Sequence, residues 1–251
     1  MKSISDIKTE FNDLQNGEYD DFIRRYSSDD RSGVIQLVQR AQKAIEKNNA
    51  EIKRTELMLS YERKYSSYSF ICGIDEAGRG PLAGPVVAGA VILPKDDMIL
   101  GLNDSKQLSP KKRSELFDII YERAQAVGVG IADHKRIDEI NILQATYEAM
   151  REAIMKLGKK PDILLNDAVT IPGIDVTQIP IIKGDSKSCS IAAASIIAKV
   201  TRDRIMEEMD LKYPGYGFAK NKGYGSADHI ESIKKIGPCP IHRRSFIGNF
   251  I

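Results

Sequence analysis

Four carboxylates carry the chemistry that can be read from this chain. Asp75 and Glu76 stand side by side where an apolar run ends, in ICGIDEAGRGPLAG. Asp167 closes a second apolar run, ILLND, and Asp185 sits in KGDSKS just ahead of a long helical segment. Ionised groups beside a core are costly unless something compensates them, and carboxylates drawn together raise each other's pKa values. Hard divalent cations remove that difficulty, because Mg²⁺ takes oxygen ligands from carboxylates and substrate phosphates. Two such ions about 3.5–4 Å apart activate a water and stabilise the leaving oxygen in phosphodiester hydrolysis. Plainer readings stand beside this one. Asp185 suits the N-cap of the following helix, and Asp167 an ordinary strand end. Asp75 and Glu76 point to opposite faces unless the strand bends, and Gly78 and Gly80 make a bend available there.

The same glycines fit two nucleotide-binding patterns poorly. Gly78 to Ala83, GRGPLA, matches G-x-G-x-x-G/A by the letter, but that motif needs a helix directly after it. Here Pro81, Gly84 and Pro85 intervene and the strand-like VVAGAVIL follows. Gly73 and Gly78 have P-loop spacing, yet Arg79 and Gly80 replace the required Lys and Ser/Thr. A nucleotide-cofactor enzyme built on GRGPLA is therefore a weak alternative.

These acids need strands to deliver them. Ser69 to Asp75 and Val86 to Leu93 read as strands, as do Ala126 to Ala132, Ile163 to Asp167 and Ile179 to Ile182. Ser109 to Ala126, Ile140 to Leu157 and Ser188 to Leu211 read as helices, the first with Pro110 in its first turn. Strands that come first and then alternate with helices predict an α/β domain with a mixed sheet. In open sheets of this kind, sites form at the carboxyl ends of strands.

Residues 1–64 read differently. Ile4, Ile7, Phe11 and Leu14 mark one helix face with Ser3 as N-cap, a short helix covers Asp20 to Tyr26, and a long one starts near Ser32. Val34, Val38, Ile45, Ile52 and Leu59 form a stripe near the heptad period. Twelve basic and twelve acidic side chains cancel there, so the stretch predicts a small helical appendage packed on itself. YSSYS, residues 65–69, reads as a linker, and residues 70–251 as the catalytic domain.

Composition sets bounds. At 251 residues the chain suits one sizeable domain plus an appendage. No run approaches the roughly 18 apolar residues that span a bilayer, and MKSISDIKTEF places charges where a secretory segment would be apolar. The expectation is a cytoplasmic protein with no membrane association. Cys72, Cys189 and Cys239 show no C-x-x-C pairing and read as buried small apolar residues. Net charge is only +2, but the last forty residues carry five Lys and two Arg against Asp228 and Glu231, a modest footprint for a polyanion.

Taken together, GIDEAGRGPLAGPVVAGAVIL, DSKQLSPKKR, IDEINILQATYEAM, LLNDAV, KGDSKSCSIAAASIIAKVTRDR, YGFAKNKGYGSADH and GPCPIHRRSF resemble bacterial ribonuclease HII, over about Ser69 to Phe246. The resemblance implies a three-layer ribonuclease H-like fold and hydrolysis of the RNA strand of RNA/DNA hybrids. It also implies cutting 5′ of single ribonucleotides embedded in duplex DNA. Asp75, Glu76, Asp167 and Asp185 are then the catalytic acids and hold Mg²⁺ or Mn²⁺, two ions with substrate bound. Gly78, Arg79 and Gly80 form the loop that reads the ribose, whose 2′-hydroxyl both donates and accepts, and Arg79 can hold a phosphate. Tyr224 resembles the tyrosine that packs on the sugar, although a tyrosine between Gly223 and Gly225 also suits a packed turn. Lys106 is a candidate substrate contact, and His242, Arg243 and Arg244 extend the basic tail toward backbone phosphates. Lys187 reads as solvated, His134 as a surface or loop residue, and His229 as exposed helix surface. Ribonuclease HIII is the close alternative, but its loop usually reads Gly-Thr-Gly. A hybrid-binding module without chemistry is the alternative from another class. Residues 1–64 and the terminal FIGNFI are candidate contacts for a replication or repair partner.

Overall fold

The structure, a computed structural model, describes residues 2–249 and 251. Its compact units divide between Glu56 and Leu57. The first contains α1 (Ile4–Asp13), α2 (Tyr19–Tyr26) and most of α3 (Ser32–Met58). Ser3 and Asp6 close α1 with reciprocal side-chain to backbone bonds at 3.1 and 3.2 Å, a capping box. Ile7, Phe11, Phe22, Val34, Leu37 and Ala41 form its core. The buried positions of α3 thus step by three and four, the ordinary helical period, while Ile45 and Ile52 stay half-exposed. A heptad seam is not what buries this helix.

The second unit opens with α4 (Ser60–Lys64), and the expected linker is a packed turn. Tyr61, Tyr65 and Tyr68 lie against Ile71, Ile163, Leu165, Ile181 and Ile191. Aromatic rings three and four residues apart cover one end of the sheet, so the change of fold comes before YSSYS rather than at it.

Five strands follow in the spatial order β3-β2-β1-β4-β5. They are β1 (Ile71–Ala77), β2 (Val86–Ile92), β3 (Ala126–Ala132), β4 (Ile163–Asp167) and β5 (Thr177–Ile181). The first three run antiparallel, whereas β4 lies parallel to both β1 and β5, so the sheet is mixed as predicted. Helix α5 (Pro110–Arg123) and helix α7 (Cys189–Lys212) cover one face, and helix α6 (His134–Met155) the other. Gly73 of β1 and Gly89 of β2 let α7 approach closely: a Cβ at either would overlap the helix backbone at Ser190 or Ala194. That contact explains the glycines that interrupt otherwise apolar strands. Helix α6 begins six residues before the expected Ile140. The periodicity breaks at Asn141 (φ +69°), whose Oδ1 accepts the N–H groups of Leu143 and Gln144 and restarts the helix.

Helices α8 (Phe218–Asn221), α9 (Ala227–Ile236) and α10 (Arg244–Ile247) complete the unit. Here His229 is fully buried, not exposed on a helix surface. It stacks edge-on against Tyr216 and Phe218, a small aromatic core that the polar sequence around it hides. The three cysteines are buried, as expected.

Candidate active site

Because β1 and β4 are parallel neighbours, their carboxyl ends deliver Asp75 and Asp167 to the same edge. Asp185 comes from the 3-10 turn Gly184–Ser186 that follows β5. Lys183 enters this turn in the left-handed region (φ +57°), and the Gly184 N–H donates to Asp167 Oδ1 at 2.7 Å. One loop therefore places Asp185 and orients Asp167. Asp185 is not the N-cap of α7: Ser188 is, accepting the Ile191 N–H at 3.2 Å. Carboxylate oxygens of Asp75, Asp167 and Asp185 all lie within 4.8 Å of one another.

Glu76 stands outside that group. β1 stays in register with β2 through Ala77, so successive side chains alternate faces up to the end of the strand. The bend comes one residue later, at Gly78 (φ +96°). Glu76 turns to Arg79 instead, with 3.2 Å between Oε1 and Nη1. Arginine thus compensates one of the adjacent carboxylates and leaves the other to the cluster.

Electrostatics set these acids against one another. Burial, then the charges of Glu76 and Asp167, hold the Asp75 carboxyl well above the usual range, and its residue is only 5% exposed. Burial likewise raises Glu76, against the pull of Arg79. Asp185 is raised by burial and then by Asp104 and Asp167. Burial works against the charge of Lys106, yet Asp104, Asp75, Asp185 and Asp167 outweigh it and raise its pKa. Crowded, largely buried oxygen donors with one exposed lysine nearby fit a hard divalent cation. The donor set has no sulfur or imidazole, which fits magnesium or manganese better than zinc.

A cleft of about 570 Å³ is lined by Glu76, the Gly78–Gly80 loop, Ser105, Lys106, Ser195 and Tyr224 among others, so of the four acids Glu76 is the one that borders it. Tyr224 is 44% exposed, and its ring edge lies 3.9 Å from where a Cβ on Gly80 would stand. Gly80 and Tyr224 thus lie side by side in the lining of the cleft. The Lys106 side chain is largely exposed at its mouth. Arg244 is exposed but lies outside the residues that line the cleft; its backbone N–H donates to Asp138 at 2.8 Å. Arg243 is corrected outright. It is 0% exposed and donates to the carbonyls of Gly78, Arg79, Gly84 and Pro85, so it cannot reach a phosphate. His242 is buried with it. Lys187 is exposed, as expected.

Two further groups escaped the sequence reading. Asp104, in DSK, presses on Asp185 and accepts the Lys106 N–H at 2.9 Å. Its signal lies in the sequence, in the same DSK that carries Lys106. Arg202 is fully buried in α7 beneath the glycine loop and gave no signal, because arginine on a helix reads as surface.

Solved structures share this arrangement of sheet and helices. A ribonuclease H2 from Pyrococcus horikoshii OT3 aligns with TM-score 0.59 and 34% identity over 70% of this chain and 93% of its own. The ribonuclease HII in a PCNA complex from Archaeoglobus fulgidus aligns with TM-score 0.60 and 29% identity, over 72% and 96%. Fold and acid cluster together define a metal-dependent nuclease of the ribonuclease H-like class. The model of the family "Ribonuclease HII" matches residues 72–249, and that of its N-terminal domain matches residues 3–66. Ribonuclease HII of Lachnoclostridium phytofermentans is 61% identical over 98% of this chain and 97% of that protein. The Clostridioides difficile enzyme is 51% identical over 100% and 99%. The chain belongs to the ribonuclease HII family. No helix among the described residues is long and apolar enough to cross a membrane.

Proposed function

We propose that this chain hydrolyses the RNA strand of RNA/DNA hybrids and cuts 5′ of single ribonucleotides embedded in duplex DNA. The products are a 3′-hydroxyl and a 5′-phosphate. The observation that carries the reading is the convergence of Asp75, Asp167 and Asp185, with Glu76, next to Asp75 in the chain, lining a cleft together with the glycine loop and an exposed tyrosine.

Asp75, Asp167 and Asp185 would hold the cation, and Glu76 would join them with Arg79 engaged by a substrate phosphate. Bound Mg²⁺ or Mn²⁺, two ions with substrate present, supplies a nucleophilic water and stabilises the leaving oxygen. The residues of the chain do the rest. The loop from Gly78 to Gly80 meets the ribose in the minor groove, where the 2′-hydroxyl distinguishes RNA from DNA. Tyr224, beside Gly80, packs on the sugar, and Lys106 offers an exposed positive charge to the phosphate. Water adds to phosphorus, and the bond to the 3′-oxygen breaks.

The enzyme works in the cytoplasm on this reading, within replication and repair. The Archaeoglobus relative is seen in complex with PCNA, which supports a replication-clamp partner here too. The C-terminal tail is the proposed contact, although Phe250 in FIGNFI lies outside the described residues. Residues 1–64 are a second candidate surface.

The test is cleavage of two end-labelled duplexes, one with a single ribonucleotide and one a uniform hybrid, with Mg²⁺ and with Mn²⁺. Cutting 5′ to the lone ribonucleotide is the expected result. Cutting of the uniform hybrid alone shifts the chain to ribonuclease HIII-like behaviour, and binding without cutting to a module that does no chemistry.

A further inference from the structure

Arg202 and Arg243 are the largest fully buried side chains among the described residues. Among the described residues, every hydrogen bond of their guanidinium groups goes to a main-chain carbonyl. Arg243 donates from Nη2 to Gly78 O at 2.6 Å and to Pro85 O at 3.2 Å, from Nη1 to Arg79 O at 2.9 Å, and from Nε to Gly84 O at 2.9 Å. Arg202 donates from Nε to Pro85 O at 2.9 Å, from Nη1 to Lys222 O at 2.9 Å, and from Nη2 to Ala83 O at 3.2 Å. Burying a cation without a carboxylate partner is unfavourable, and apolar residues of similar volume would fill the space at lower cost. The arrangement calls for a role beyond filling.

Peptide geometry supplies one. No peptide bond among the described residues is cis, so each carbonyl points opposite to the N–H that follows it. The carbonyls of Gly78 and Arg79 point inward to Arg243. The N–H groups of Arg79 and Gly80 therefore point outward. Outward is the cleft, where Gly80 lies beside Tyr224. Arg202 extends the same hold to Lys222, two residues before Tyr224, and lies 5.8 Å from that ring's centre.

We infer that Arg243, backed by Arg202, is a positioning residue for ribose selection. By taking the carbonyls of Gly78 and Arg79, it fixes the Arg79 and Gly80 N–H groups as a pair of donors for an oxygen of the substrate ribose. A lysine cannot replace it, because one compact ammonium does not span four carbonyls in a fixed fork. The inference rests on the ribonucleotide-cleaving reading above.

The test compares wild type with Arg243→Lys. It measures KM for a duplex with one ribonucleotide, and Ki for the all-DNA duplex of the same sequence as a competitor. Wild type must first cut the single-ribonucleotide duplex; if it does not, the functional reading fails before this inference is tried. In folded Arg243→Lys, the ratio Ki/KM is expected to fall at least tenfold with Ki unchanged. An unchanged ratio, or equal rises in KM and Ki, overturns the inference.

A second measurement leaves both arginines intact. Amide hydrogen exchange at Arg79 and Gly80 is followed in Asp75→Asn, which keeps the duplex uncut, with saturation checked by anisotropy. Slower exchange on the ribonucleotide duplex, and not on the all-DNA duplex, is expected. Equal exchange on the two duplexes overturns the inference, whether or not the variant folds.

Discussion

The Nε2 atoms of His229 and His242 lie 3.1 Å apart inside the C-terminal core. Only one proton fits between them. His229 Nδ1 sits 2.8 Å from the Tyr224 carbonyl and so must carry its own proton, which leaves Nε2 bare. His242 then donates from Nε2, and its Nδ1 accepts the Cys239 N–H at 2.9 Å. One neutral tautomer of each ring satisfies the chain of bonds, and the chain ends on the backbone of the tyrosine beside the glycine loop.

A pH dependence follows from that chain. Burial lowers both histidines, and His242 falls to about 4, with His229, Arg244 and His134 adding positive charge around it. A depressed folded pKa means that the unfolded chain binds protons first as pH drops. The stabilisation is complete above the unfolded value near 6.5 and is lost as pH falls toward about 4. Thermal melting of the metal-free protein between pH 7 and 4 is expected to show Tm falling through this window. Comparison with His242→Gln isolates the pair: equal slopes in the two proteins refute the assignment.

Asp75 trades stability for chemistry. Its raised pKa means the ionised form is disfavoured by the fold, so its contribution is present at low pH and lost as pH rises through the folded value. Asp75→Asn removes that repulsion while keeping the shape. Tm in the presence of chelator is expected to rise. Cleavage is expected to fall by more than about 10³-fold, since metal-assisted stabilisation is worth several kcal/mol and each 1.36 is tenfold. Wild type should also gain Tm on titration with Mg²⁺ or Mn²⁺, because a ligand that binds only the folded state stabilises it, and the variant should gain less. Melting curves with and without metal, beside a cleavage assay, check all three.

The two glycines of the loop separate cleanly. Gly78 lies at φ +96°, and a Cβ there would overlap the Arg202 side chain. Gly80 has no positive φ, and its Cβ would meet only the Tyr224 ring edge at 3.9 Å. Gly78→Ala is expected to lose Tm and activity together. Gly80→Ala is expected to keep wild-type Tm and to raise KM, because the added methyl stands in the cleft. A destabilised Gly80→Ala, or a Gly78→Ala with wild-type melting, contradicts this division.

What the sequence disclosed depends on how local its cause is. Strand β3 and strand β4 were readable to the residue, because alternation and apolar runs bounded by polar residues are local. Of the four acids the spacing points to, the parallel pairing of β1 and β4 and the turn after β5 bring Asp75, Asp167 and Asp185 together. The role of Glu76 beside Arg79 was not readable, since it depends on β1 staying regular for one residue past the acids. Arg243 and His229 are hidden in the sequence for a different reason. Polar residues in a basic, glycine-rich tail look solvated, and only tertiary packing shows that their partners are backbone carbonyls and another histidine.

Glu62 tests how the segment before the sheet supports the active-site helix. Its Oε1 accepts both the Ser188 hydroxyl at 2.6 Å and the Ser190 N–H at 2.9 Å, at the start of α7. Ser188 is itself the cap of that helix, so Glu62 holds the cap in place. Its Oε2 is buried with no hydrogen-bond partner among the described residues. A negative group at a helix N-terminus is favourable, and losing a cap costs about 0.5–2 kcal/mol. Glu62→Ala should therefore lower Tm by several degrees, at about 2–4 °C per kcal/mol for a domain of this size. Glu62→Gln keeps an acceptor for both donors and should recover most of that loss. Because α7 carries Ser195 and Arg202 into the site, cleavage by Glu62→Ala should decline at a lower temperature than wild type while matching it well below Tm. If Glu62→Ala melts like wild type, the carboxylate is a bystander and α7 is fixed by its apolar face alone.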